Sequence, residues 1–98
     1  MGLDFAIDEL LSTGWSDLDT TGCEYCEGRM FPTVARVARE FEREGFDFAI
    51  KHIQPFDCFR AQWCGTSGES GAVVGKTIEE AAVYALARFR RALAGASV

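Results

Sequence analysis

The sequence predicts an α+β fold: a three-stranded antiparallel meander sheet with two main helices packed on one face, in the order α-β-β-β-α, and a short helix ahead of them. Three observations carry this. The stretch Val73 to Leu93, VVGKTIEEAAVYALARFRRAL, reads as a strand end followed by a long amphipathic helix. Phe46 to Ile53 and Cys58 to Trp63 each alternate apolar with polar residues, the pattern of strands with one buried face. Val34, Val37, Ala38 and Phe41 recur at i, i+3, i+4 and i+7, the spacing of one helix face.

Taken in order, Leu3, Ala6, Ile7, Leu10 and Leu11 mark a short helix over residues 3–12, ended by Gly14. Trp15 follows as an apolar anchor. Residues 13–31 read as an irregular, cysteine-containing loop, since SDLDTTGCEYCEG is rich in turn formers and acids. Pro32 suits the first turn of the second helix. On that helix Arg36, Arg39, Glu40, Arg43 and Glu44 face mostly outward, and Gly45 closes it. The first strand sets Phe46, Phe48 and Ile50 against Asp47 and Lys51. Pro55 and Asp57 mark the turn, and the second strand sets Phe59, Ala61 and Trp63 against Cys58, Arg60 and Gln62. GTSGESG, from Gly65 to Gly71, is the next hairpin loop, and Ala72 to Val74 the third strand. Thr77 and Glu80 form a T-x-x-E capping box for the last helix. Its apolar stripe is Ile78, Ala82, Ala85, Leu86, Phe89 and Leu93; Arg88, Arg90 and Arg91 suit the negative end of its dipole, and Gly95 stops it. Residues 33–94 thus form the αβββα core of one domain spanning residues 1–98, with no repeat and no linker.

Composition narrows the function classes. The chain has 98 residues, is 48% apolar and carries a net charge of −5, so a globular fold is expected and general nucleic-acid affinity is not. Its only lysines are Lys51 and Lys76. No apolar run approaches the roughly 20 residues that span a bilayer, so no membrane role is expected. MGLDFAIDELL lacks a basic segment and carries Asp4, Asp8 and Glu9, unlike a secretory signal. A cytoplasmic protein with reduced cysteines is therefore expected.

Cys23-x-x-Cys26 is the sharpest chemical feature. Two thiolates at this spacing share a metal ion when a tight turn aims both inward, and Gly28 is compatible with such a knuckle. A tetrahedral zinc site needs two more ligands, drawn from His52, Cys58 and Cys64. Cys58 and Cys64 cannot both serve, because six extended residues separate them by on the order of 20 Å. The candidate set is Cys23, Cys26, His52 and Cys58; the competing reading is unligated thiols. A redox role is disfavoured: Glu24 and Glu27 flank the pair and would raise the thiol pKa, and there is no βαβ context. GAVVGKT, from Gly71 to Thr77, misses the phosphate-binding loop, since the first glycine is one residue late and Val73 and Val74 read as the strand itself. His52 has no nucleophile and carboxylate converging on it, and Ser67 and Ser70 lie in a loop. Glu79 and Glu80 are adjacent on a helix and point apart. No catalytic set and no cofactor beyond zinc is expected.

The α-β-β-β-α order of residues 33–94 resembles the double-stranded-RNA-binding domain, and Gly75, Lys76, Ala81, Ala82 and Ala85 echo the start of that family's second helix. That family grips phosphates with a lysine cluster there; this chain offers only Lys76, with Glu79 and Glu80 where cations are needed. A divergent RNA-binding domain is thus the third reading of the chain. The strand ending in Trp63, the glycine-rich turn and G-K-T-x-E-E-A also look like small αβββα proteins encoded by phages and prophages. That resemblance implies a small acidic protein that binds and blocks a bacterial host protein, with components of CRISPR defence among the targets.

The leading expectation is therefore a non-enzymatic protein-interaction domain of phage or prophage origin, with a host protein as partner. The contacts expected are Asp17, Asp19, Glu24 and Glu27 of the acidic loop and Lys51 and Arg60 of the open sheet face. The alternative is a small zinc-binding module held by Cys23 and Cys26.

Overall fold

In a computed structural model, residues 2–15, 22–26, 28–66 and 68–96 are described, with backbone alone at Cys26 and residues 94–96. Asp17, Asp19, Glu27 and Ser67 lie outside the described residues. The elements are α1 (Leu3–Ser12), β1 (Cys23–Cys26), β2 (Arg29–Pro32), α2 (Val34–Arg43), β3 (Phe46–Ile53), β4 (Cys58–Gly65), β5 (Ser70–Gly75) and α3 (Ile78–Ala96). The fold is mixed α+β, with an antiparallel sheet in the order β3-β4-β5 and a separate antiparallel β1-β2 hairpin.

The three-stranded meander follows from alternation. Its register pairs Phe48 with Trp63 and Ile50 with Ala61, then Ala61 with Val73, so the apolar parity of each strand falls on one face. That face meets α2 and α3. Phe41 of α2 is fully buried and stacks on Phe48 with ring centroids 4.7 Å apart. It also lies 4.5 Å from the Phe89 ring of α3 and 5.4 Å from the Trp63 ring of β4. One side chain therefore joins both helices to two strands.

α3 is buried more widely than its predicted stripe. Ala81, Val83 and Ala87 are buried along with Ala82, Ala85, Leu86 and Phe89, whereas Ile78 and Leu93 at the ends are exposed. The cause is α1, which lies parallel to α3 on the side away from the sheet. Phe5 packs edge-on against Tyr84 with centroids 5.9 Å apart, and Arg90 Nε donates to Thr13 Oγ1 at 3.0 Å near the far ends. Ala6, Ile7 and Leu10 fill the seam, and Trp15, 7% exposed, closes the core after Gly14 turns the chain at φ 87°. Alanines at 81, 82, 85 and 87 let two layers approach one helix closely.

The structure corrects the sequence reading at five places. Cys23–Cys26 and Arg29–Pro32 pair as antiparallel strands rather than lying in an irregular loop, with Cys23 opposite Pro32 and Cys26 opposite Arg29. Two strands of four residues are not stable alone. This pair docks instead, through buried Phe31 and Pro32 and through Arg29, which donates to Asp8 at 2.5 Å and to the Asp4 carbonyl at 3.5 Å. The hydrogen bond to Asp8 holds the half-buried Arg29 guanidinium above its usual pKa. Second, Pro32 ends β2, and Thr33 is the N-cap: its Oγ1 accepts from the Arg36 N–H at 3.2 Å and donates to the Gly22 carbonyl at 2.9 Å. Third, Arg36 is not outward but 7% exposed, because the chain at Gly22 lies against it; it pairs with Glu40 at 3.0 Å. Fourth, β4 runs on to Gly65 and β5 begins at Ser70, so the intervening turn is short and Gly68 takes φ 93° within it. Fifth, α3 continues through Gly95 to Ala96.

Candidate functional site

Both α2 and α3 lie on one side of the β3-β4-β5 sheet, and its other face carries no helix among the described residues. Strand alternation builds that face in rows across the strands. Lys51, Arg60 and Val74 form one row, Ala49, Gln62 and Ala72 the next, and Asp47, Cys64 and Ser70 the third. Between the last two rows lies a concavity of about 520 Å³, over the backbone of Phe48, Trp63 and Gly71. Ala49 and Ala72 keep its walls low. Gly71 leaves the space for Trp63 on the opposite face, since a Cβ there would lie 2.3 Å from the indole ring.

The electrostatics of the face are uneven. Lys51 and Arg60 stand directly opposite each other, both exposed. Like charges in that position cost stability, and among the described residues neither forms an ion pair with a carboxylate. Asp47 is the only acid in the three rows. A chain of net charge −5 thus gathers two of its cations on its uncovered sheet face.

The candidate metal ligands are spread over two sheets, Cys23 and Cys26 in β1 and His52 and Cys58 in β3 and β4. Cys23–Cys26 is extended, whereas a shared ion requires a tight turn; Cα atoms three residues apart in a strand are separated by about 10 Å. His52 falls on the helix-facing parity, opposite Phe59, and Cys58 on the outer parity, opposite Ile53. The two are thus on opposite faces of the sheet. His52 stacks on Phe59 at 4.8 Å, and its Nε2 lies 2.9 Å from Asp57 Oδ1. Asp57 is in the left-handed region at φ 49°, a turn conformation that Asp tolerates. Among the described residues no three His, Cys, Asp or Glu side chains are grouped to hold a metal ion. The Cys26 side chain lies outside the described structure.

Of the expected contact residues, Lys51 and Arg60 share the outer face, while Glu24 is exposed on the separate hairpin. Asp17, Asp19 and Glu27 lie outside the described residues. Sequence reasoning assigns Asp47, Lys51, Arg60 and Gln62 to this face but not Cys64 and Ser70, because its second strand ends at Trp63 and its third begins at Ala72. Continuing the alternation one residue past Trp63 places Cys64 on the face of Gln62 and Arg60. Two exposed aromatics, Phe56 at the β3-β4 turn and Tyr25 in β1, lie outside the three rows.

No described helix is long and apolar enough to cross a membrane. Comparisons of the chain with protein-family models, with curated proteins and with solved structures found no match.

Proposed function

We propose that this chain is a non-enzymatic protein-interaction domain that binds a partner protein through the outer face of β3-β4-β5. The observation that carries the reading is the cross-strand pair Lys51–Arg60, two exposed cations that meet no carboxylate among the described residues, beside a concavity that no described element covers. Such a pair costs stability in the isolated domain. A partner that brings a carboxylate to Arg60 and a small apolar or backbone segment to the Ala49–Ala72 row would turn that cost into binding. The likeness of residues 33–94 to small phage-encoded proteins names a bacterial host protein as the partner class. A host-defence component is one specific form of it.

The test is affinity capture from bacterial lysate with the wild-type chain beside Arg60→Glu and Ala72→Arg. Both positions are exposed, so neither variant should lose more than the range of surface substitutions, about 0.5 kcal/mol, and Arg60→Glu should gain stability, since it turns a like-charged cross-strand pair into an opposite one. The expected result is a stoichiometric partner retained by the wild type and lost by both variants. Retention of the same protein by all three chains would remove the face from the account.

A further inference from the structure

β3 is an eight-residue strand at the rim of its sheet, and among the described residues no backbone hydrogen bond reaches it from the side away from β4. A rim of this length is a template for another strand, and such rims are ordinarily blunted by proline, bulges, brevity or charged side chains, of which this strand carries only the last, Asp47 and Lys51. FDFAIKHI has no proline or glycine. Phe46, Phe48 and Ile50 lie on the helix-covered face yet remain only half-buried.

We infer that β3 pairs antiparallel with β3 of a second copy of this chain, with the two-fold axis passing between the two Ala49 residues, to give a continuous six-stranded sheet. The occupant is assigned by the strand's own complementarity. With Ala49 opposite Ala49, Asp47 of each copy stands opposite Lys51 of the other, on the outer face. On the inner face Phe48 stands opposite Ile50, and Phe46 opposite His52. Opposite charges, and aromatic with β-branched residues, are the favourable cross-strand pairs. Neighbouring registers lose this. Moving the axis by two residues sets Asp47 against Asp47 or Lys51 against Lys51, and moving it by one leaves the charges unmatched. The chosen register also keeps both helical layers on the same side, because paired residues share a face. The two outer faces then join into one surface, and Lys51 gains a carboxylate while Arg60 stays available. This pairing does not depend on the proposed partner protein, and either can fail without the other.

One strand pair buries little area, so the association is weak and concentration-dependent. Sedimentation equilibrium should show a monomer–dimer equilibrium by on the order of 1 mM chain. Asp47→Lys and Lys51→Glu each replace two attractive pairs by two repulsive ones and should weaken the dimer roughly tenfold or more. The double variant, with both charges exchanged, should restore it. Amide exchange on the wild type gives a second measurement that needs no variant: β3 amides should gain protection as concentration rises, and β5 amides should not. A monomer throughout the concentration series overturns the inference. So does a dimer indifferent to the single charge reversals, or one that protects β5 instead of β3.

Discussion

Phe41→Ala should cost about 3–5 kcal/mol, the range for removing a large buried side chain. Phe41 is fully buried, and its ring contacts the rings of Phe48, Trp63 and Phe89. Those three belong to β3, β4 and α3, so no single element can shift to fill the space without leaving another. A domain of this size has a total stability of about 5–15 kcal/mol, so the variant should be close to unfolding or already there. In thermal denaturation each kcal/mol corresponds to about 4–8 °C, and the midpoint should fall by at least ~12 °C. A loss below about 1 kcal/mol would mean that the α2 layer does not rest on the sheet as described.

Gly75→Ala should have the next largest effect. Gly75 ends β5, and the chain turns there into α3. A Cβ on it would lie 2.7 Å from the Ala81 nitrogen and 3.0 Å from the Ala81 Cα. Both are backbone atoms in the first turns of α3, which no side-chain rotation can move aside. Gly75 has no positive φ, so the obstacle is contact and not backbone conformation. Overpacking of this kind costs about 1–3 kcal/mol. The substitution should fall at the upper end, because relief requires sliding α3 along the sheet. Denaturant unfolding measures it: the midpoint should drop with an unchanged slope. A neutral or stabilising result, as expected for glycine replaced where space is open, would contradict the close approach of α3 to β5.

These two positions also show what could be read from the chain and what could not. Phe41 is legible because four apolar residues at helical spacing point one way. Strand parity was equally legible: Phe46, Phe48 and Ile50 on one side, Asp47 and Lys51 on the other, in the observed register. Gly75 is different. Its neighbour in sequence is Lys76, but the atoms that forbid a side chain belong to Ala81 and Glu80. The β1-β2 hairpin was missed for a related reason. CEYC and RMFP are too short to show alternation, and what holds them, Phe31 in the core and Arg29 on α1, is tertiary. Arg36 reads as a solvated charge from its sequence position, and Gly22, fourteen residues earlier, is what lies against it. Local pattern records which face an element buries. It does not record which second layer arrives from elsewhere in the chain, as α1 does on α3.

The same division applies to the candidate site. Lys51 and Arg60 could be assigned to the outer face from parity alone, and the structure sets them opposite each other. The concavity beside them could not be assigned, since it depends on Ala49 and Ala72 meeting Gln62 across two registers. The expected metal set drew on Cys23, Cys26, His52 and Cys58, residue types chosen for their chemistry. Strand geometry separates His52 from Cys58 by the thickness of the sheet.

Cys64 offers the most direct test of an outer face that is open in the isolated chain and covered in the complex. Its thiol is exposed in the row with Asp47 and Ser70 and is not in a disulfide. Maleimide labelling read by peptide mass spectrometry should modify Cys64 rapidly in the folded chain alone, and slowly once a partner has been captured from lysate. A Cys64 that resists labelling until the chain is denatured, or that labels equally fast in the captured complex, would contradict the account.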